Sequence, residues 1–343
     1  MKNRVKIKSL LLLVVTLSGV SLFSTACVGG SGSLKSVESQ SQEFPKSIKV
    51  EGIALNPEGI EYDKNDQTFL LSSLNAMPII KVNLDGRFKP FTSGEKFPLS
   101  TAGLQIDYKR NRLFVAGFNG RELMDSDPKT KGASFLRVYN LKSGILEQEV
   151  NLSSLVPQAS AYFANDIAVD SDGNVYISDW YAGLVYKVDG DGVATVFWRN
   201  SSGIAGGPNG LDVHSDGYLL VSLLKVNDKG IYSDFGLVKI PLNDSTLSTI
   251  VNIKSVKFAG FDGMVIDKCG NIVGVTNNQK SAGGNMLIEL SSKDAWKSAE
   301  VTQAKEITPS TTVALTPENK KFVIHQNFSN NFAKTWNIER IDF

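Results

Sequence analysis

Glu58, Asn165, Asn209 and Asp262 each begin the same short pattern: a polar residue, a small or polar residue, an apolar residue, any residue, an apolar residue, and usually Asp. The copies read Glu58-Gly59-Ile60-Glu61-Tyr62-Asp63, Asn165-Asp166-Ile167-Ala168-Val169-Asp170, Asn209-Gly210-Leu211-Asp212-Val213-His214 and Asp262-Gly263-Met264-Val265-Ile266-Asp267. Two weaker copies begin at Ala102 and Thr311. Two carboxylates and two amide carbonyls form an all-oxygen donor set of charge −2. Such a set suits Ca²⁺, which accepts six to eight oxygens in a loose geometry and would keep room for water and a substrate oxygen. Taken singly, an Asn or Asp at the start of a strand also fits an Asx turn. The shared register, together with Glu58, which is not a turn residue, is what points to a metal.

The elements that must bring these four residues together are legible around them. Each copy continues through a tight polar turn into a second apolar strand, for example Asp170-Ser171-Asp172-Gly173-Asn174 into Val175-Tyr176-Ile177-Ser178. Gly or Asn in such turns supplies the positive φ of a short hairpin. A third strand follows in every unit, at 79–84, 135–141, 184–188, 236–240, 285–290 and 336–341, and a more polar fourth strand follows in five. The sixth unit reaches Phe343 after its third strand, and Ser47 to Ala54 is available to complete it. Six four-stranded units at spacings of 44 to 63 residues predict an all-β chain, a six-bladed β-propeller closed by its N-terminal strand. A sandwich pair or a solenoid is the alternative; a solenoid would be spaced more tightly and evenly.

In a propeller the first strand of each blade lines the axis, so residues of equivalent register meet at one mouth of the channel. Glu58, Asn165, Asn209 and Asp262 are therefore expected to converge. His325, at the end of a second strand, is expected on the same face and is a second candidate base; a histidine bonded at a loop edge is the plainer reading. His214 ends a first strand and belongs to the far face. The segments 117–134, 153–164, 223–235, 277–284 and 326–334 read as long loops opening on the metal face. Tyr162, Phe163, Trp180, Tyr181 and Phe235 would give a pocket there apolar walls, or else pack within the blades.

The segments Asn56-Pro57-Glu58-Gly59, Asn165-Asp166, Pro208-Asn209-Gly210-Leu211 and Asp262-Gly263-Met264 resemble the signature elements of the gluconolactonase/regucalcin (senescence marker protein) family. The wider group includes paraoxonases and diisopropylfluorophosphatase, six-bladed propellers with a central calcium. The resemblance spans the chain from about Lys46 to Phe343. It implies that Glu58, Asn209 and Asp262 are metal ligands, and that Asn165 is a fourth ligand or holds a metal-bound water or the substrate. It implies that Asp262 is a general base or nucleophile, and that the reaction is hydrolysis of a lactone or related ester. Ca²⁺ is the expected metal, with Zn²⁺, Mn²⁺ and Mg²⁺ used elsewhere in the group. The sugar-lactonase members carry an Arg two residues before the Asn that corresponds to Asn165. Phe163 stands there in this chain, which favours a less polar substrate, and Arg121 is a possible replacement charge.

Residues 1–27 read as a bacterial export signal: Lys2, Arg4, Lys6 and Lys8, then a 14-residue apolar run from Leu10 to Phe23, then Ser24-Thr25-Ala26-Cys27. A small residue directly before Cys resembles a lipoprotein signal, with Ser24 where that pattern prefers Leu. Cleavage after Ala26 without lipidation is the alternative. Residues 28–45 read as a flexible linker and 46–343 as the propeller. The chain has two cysteines, so lipidation at Cys27 would leave Cys269 without a partner. The formal charge is +1, about −3 without the four leader positives, and nothing resembles a nucleic-acid surface. The expectation is an exported monomer acting on a small molecule and touching membrane only through a lipid at Cys27. The competing readings are a non-catalytic propeller that keeps a structural metal and binds a ligand or protein through its loops, and a strictosidine-synthase-like enzyme, against which the Glu/Asn/Asn/Asp ring argues.

Overall fold

The computed structural model describes residues 43–96, 98–119, 132–226, 232–254, 260–276, 284–326, 330 and 332–343. The leader, Cys27, most of the linker and Arg121 lie outside them. Phe44 is buried against Tyr62 and Phe322, with ring centroids 5.6 and 5.7 Å away.

Strand β1 (Ser47–Glu51) is followed by blade 1, made of β2 (Pro57–Asp63), β3 (Thr68–Ser73), β4 (Ile80–Val82) and β5 (Phe88–Pro90). Blade 2 is β6 (Ser100–Asp107), β7 (Arg112–Asn119), β8 (Ala133–Asn140) and β9 (Leu146–Asn151). Blade 3 is β10 (Ala164–Val169), β11 (Val175–Asp179), β12 (Leu184–Val188) and β13 (Ala194–Arg199). Blade 4 is β14 (Gly207–His214), β15 (Tyr218–Val226), β16 (Tyr232–Pro241) and β17 (Thr249–Ile250). After β18 (Asn252–Lys254), blade 5 is β19 (Met264–Ile266), β20 (Ile272–Thr276), β21 (Met286–Ser291) and β22 (Ser298–Glu306). Blade 6 is β23 (Ser310–Leu315), β24 (Lys321–His325) and β25 (Thr335–Ile341), and β1 adds its fourth strand, pairing antiparallel with β25 from Ser47↔Glu339 to Glu51↔Thr335.

Neighbouring inner strands pack in the order β2, β6, β10, β14, β19, β23 and back to β2, so the six-bladed ring is closed. Every inner hairpin turns on one residue of positive φ: Gln67, Asn111, Gly173, Gly217, Gly270 and Asn319. Five of them are the Gly or Asn that such a turn favours. Between blades the faces are apolar. Phe69 and Phe322, 4.8 Å apart, join blades 1 and 6 in a cluster that takes in Ile48, Val50 and Trp336.

Two features differ from the sequence reading. The outer strand of blade 4 is only two residues long, and the chain then crosses to blade 5, where β18 pairs in parallel with β22 and covers its edge. In the segments read as long loops of blades 2 and 4, strand pairing continues outward to Asn119↔Ala133 and Val226↔Tyr232. Residues with high strand propensity, such as Leu223, Leu224 and Val226, extend the ladder there.

Candidate metal centre and active site

Five of the six residues that begin the repeats are placed by a β-bulge. Opposite Ser72, β2 contributes both Glu58 and Gly59, and the pairing resumes at Ile60↔Leu71 after Pro57↔Ser73. The same extra residue occurs at Ala102-Gly103, Asn165-Asp166, Asn209-Gly210 and Thr311-Thr312. In blade 5, Asp262 N–H donates to Val275 O and Val275 N–H donates to Gly263 O, so the turn into β19 has the same bonding just outside the strand. A bulge swings one side chain out of the strand's alternation, which is how a chain of alternating strands turns a ring of side chains to its axis.

Four of the six ring positions are followed by glycine. A Cβ on Gly59, Gly103, Gly210 or Gly263 would lie closer than 3.0 Å to Ala102, Asn165, Asp262 or Thr312 of the next blade. These glycines let adjacent inner strands close on one another. Where the residue is Asp166 instead, its carboxylate bridges the gap, accepting from Ile167 N–H at 2.9 Å and from Leu211 N–H of blade 4 at 2.9 Å.

Glu58, Asn165, Asn209 and Asp262 are all buried, between 2 and 7% exposed. The Asn209 amide donates through Nδ2 to Asp262 Oδ1 at 3.0 Å. This bond fixes the amide, and its carbonyl oxygen Oδ1 is buried with no hydrogen-bond partner. Burial and the charges of Asp262 and then Asp166 hold the Glu58 carboxyl well above its ordinary pKa. Thr311, the ring residue of blade 6, donates through Oγ1 to Glu58 O at 2.6 Å, and Ala102 supplies no donor. An unpartnered buried carbonyl oxygen beside two carboxylates that repel one another is what a hard cation would relieve, so the donor set fits the group the sequence implied. Among the described residues, no three His, Cys, Asp or Glu side chains form a metal-holding group. The ring reaches four donors only through its amides, which speaks for a hard cation rather than a softer metal bound by His or Cys.

Three further carboxylates line the axis that the sequence reading did not single out. Glu61 is pushed up to about 8 and Asp166 to about 8, each first by burial. Asp212 is pushed up to about 6, also by burial. Asp212 accepts from Val213 N–H at 2.7 Å and from Ile266 N–H of blade 5 at 2.6 Å. Glu61 bonds the backbone of Ile106 in blade 2. Their sequence signal was a polar residue three positions after the ring residue, at Glu61, Gln105 and Asp212, where other blades have Ala168, Val265 and Ala314. A cavity of about 20 Å³ among Glu58, Glu61, Gln105, Asn165 and Asp166 has room for a water.

The other candidates make contacts of their own. His325, paired with Ser310 one residue before ring residue Thr311, has Nε2 2.6 Å from Glu339 Oε2 on the adjacent strand, a hydrogen bond within blade 6. His214 stacks on Tyr218 beside the inner-hairpin turn, at 4.6 Å and 8°. Tyr162 is a core residue whose hydroxyl donates to Val156 O at 2.8 Å. Phe235 packs against Phe261 in the core between blades 4 and 5. Phe163, Trp180 and Tyr181 do form one cluster, joined by Phe118, which the sequence reading had not included. Cys269, in the β19–β20 turn, is disulfide-bonded. The chain's other cysteine, Cys27, lies outside the described residues.

No protein-family model and no curated protein matches the sequence. Solved structures of similar shape include Mala s 1, the major allergen of Malassezia sympodialis, at TM-score 0.68 and 18% identity over 88% of this chain and 97% of that one. They include the calcium-binding protein regucalcin of Agrobacterium tumefaciens, at TM-score 0.55 and 17% identity over 86% and 93%. A gluconolactonase of Xanthomonas campestris aligns at TM-score 0.54 and 14% identity over 86% and 89%. At these identities the likeness is one of fold: the chain is a six-bladed β-propeller of the architecture that gluconolactonase and regucalcin share.

Proposed function

We propose that this chain is an exported hydrolase of lactones or related esters that depends on a divalent cation, Ca²⁺ by the hardness of its donors. The observation that carries the reading is the unpartnered Asn209 Oδ1, buried in a ring with Glu58 and Asp262. Glu58, Asn209 and Asp262 would hold the cation, with Asn165 as a fourth ligand or as the group that orients substrate. A cation bound there would draw electron density from a substrate carbonyl and offset the negative charge that develops during attack. Asp262 is the residue placed to take a proton from an attacking water or to attack directly. The 3.0 Å bond from Asn209 Nδ2 holds its Oδ1 and so sets the direction of the carboxylate. With His325 engaged by Glu339, Asp262 is the one base of the original candidates that belongs to the ring. The gluconolactonase among the structural neighbours supports the lactone, and regucalcin, a calcium-binding protein by name, supports the metal.

Export is supported by the leader pattern of residues 1–27 and by the disulfide at Cys269, a bond that persists in oxidising compartments. We therefore place the protein in the bacterial cell envelope, a monomer acting on a small molecule.

A second reading has its own support. The axial carboxylates already tie blades together through backbone N–H groups, so a cation in the ring could serve to hold blades 1, 3, 4 and 5 without chemistry. The deciding experiment is hydrolysis of a panel of lactones and aryl esters by the leaderless protein, with calcium, with chelator, and with Asp262→Asn. Turnover that disappears in both altered samples supports the hydrolase. No turnover on any substrate, with a melting temperature that chelator lowers, supports the structural cation.

A further inference from the structure

The positions two residues before Asn165 and Asn209 are Phe163 and Gly207. The Phe163 ring lies 4.2 Å from Phe118, 5.8 Å from Tyr181 and 6.2 Å from Trp180, and Trp180 and Tyr181 stack at 5.4 Å and 17°. Beneath them Asp179, the last residue of β11, is fully buried. Its Oδ1 accepts from Phe163 N–H at 2.8 Å and Ala182 N–H at 3.0 Å, and its Oδ2 from Ser134 Oγ at 2.8 Å. Trp180 N–H donates to Phe163 O at 3.0 Å. The indole Nε1 donates to Leu224 O of blade 4 at 3.1 Å. A Cβ on Gly207 would lie closer than 3.0 Å to Trp180 O and Cδ1, so the glycine there lets the indole lie over the start of β14. The Phe163 and Trp180 rings are thus held in place at the starts of β10 and β14, the strands that carry Asn165 and Asn209, and Tyr181, stacked on Trp180, is 45% exposed.

We propose that these rings are the acyl or leaving-group wall of the site and that the substrate carries a flat aromatic group, as in an aryl-substituted lactone or aryl ester. The proposal names the substrate class of the hydrolase reading, and its binding half stands without that reading. An aromatic group on preorganised rings gains stacking without an ordering cost. A polyhydroxylated sugar lactone would surrender hydrogen bonds to water at a wall whose indole N–H is already engaged with Leu224 O.

Tryptophan emission reads the wall directly. Trp198, Trp296 and Trp336 are buried, at 5% exposure or less, which leaves half-buried Trp180 as the indole that a small ligand reaches. The probes are a benzyl-substituted γ-butyrolactone, unsubstituted γ-butyrolactone and glucono-δ-lactone, added to the leaderless protein with calcium. The expected result is a saturable emission change with the benzyl lactone alone, weakened about 2- to 10-fold by Tyr181→Ala. In hydrolysis, Tyr181→Ala would raise KM for the benzyl lactone by a similar factor and by more than it raises KM for γ-butyrolactone. Phe163→Arg would shift preference toward glucono-δ-lactone. A saturable, Tyr181-dependent emission change in a protein that hydrolyses nothing upholds the wall and removes the hydrolase. Equal response to glucono-δ-lactone, or benzyl-lactone binding unaffected by Tyr181→Ala, overturns the wall.

Discussion

Asn209 and Asp262, 53 residues apart in sequence and on adjacent blades, are joined by a 3.0 Å hydrogen bond from amide to carboxylate, and the other oxygen of that amide is buried without a partner. The bond orients both side chains at once. Asn209→Asp places a third carboxylate in the ring. In chelator its melting temperature should fall by several degrees, because like charges are then buried together. In calcium the order should reverse, with tighter binding in calorimetric titration. A variant as stable as the parent in chelator would show that the ring carboxylates are not held close.

His325→Ala should leave turnover within about twofold and cost about 1 kcal/mol or less of stability, since it breaks one part-exposed side-chain hydrogen bond, to Glu339. Asp262→Asn should abolish turnover. Initial rates on the best lactone of the panel compare the two, and a large loss in His325→Ala would restore the histidine as the base.

The chelator-treated protein should lose stability as pH rises. Glu61 is raised from its ordinary 4.5 to about 8 in the fold. Between those values the folded state keeps a proton that the unfolded chain has released, so unfolding becomes easier with each step in pH and levels off above about 8. Glu61→Gln, which is neutral throughout, should flatten that slope and be the more stable protein at pH 8. Urea midpoints at pH 5, 6.5 and 8 test this, and an unchanged slope in the variant would remove Glu61 as its source.

Gly59→Ala should destabilise by about 3 kcal/mol or more, because the new methyl meets the Ala102 carbonyl oxygen, a backbone atom that cannot step aside. Gly190→Ala, where a Cβ meets nothing within 4 Å, is the control and should be close to neutral. Thermal melts of the pair separate steric closure of the ring from the general effect of replacing glycine.

Intact-mass analysis of the exported protein should find a chain beginning at Cys27, where both readings of the leader cut. A mass increased by acyl chains is the lipoprotein, and the bare mass is ordinary cleavage.

The blades were legible because each inner hairpin repeats one apolar register and one turn residue, from Asp170-Ser171-Asp172-Gly173 to Pro317-Glu318-Asn319. Gln67 broke the turn rule, and its blade was carried by the register alone. The ring residues were legible for the same reason. The bulges that aim them were not, because an extra residue in one strand leaves the periodicity on either side intact. Ser72, Ser178 and Ser222, each at the bulge in the second strand, were the available trace. Ser72 and Ser178 accept from the Gly59 and Asp166 N–H groups at 2.6 and 2.9 Å. Glu61, Asp166 and Asp212 escaped notice because a lone acid within an apolar strand reads as a solvent-facing position. Only closure of the ring shows that the face opposite the blade core is a channel. The pairing of His325 with Glu339 depends on which strand lies next to β24 and on rotamers, neither of which spacing encodes.

The pairing of Ser47 with Glu339 makes the two ends of the domain one blade. The last strand synthesised is the one the first strand waits for, so five blades can form while the circle stays open. That contact spans nearly the whole domain in sequence, from Ser47 to Glu339, so it closes a long loop and is expected to form late in folding.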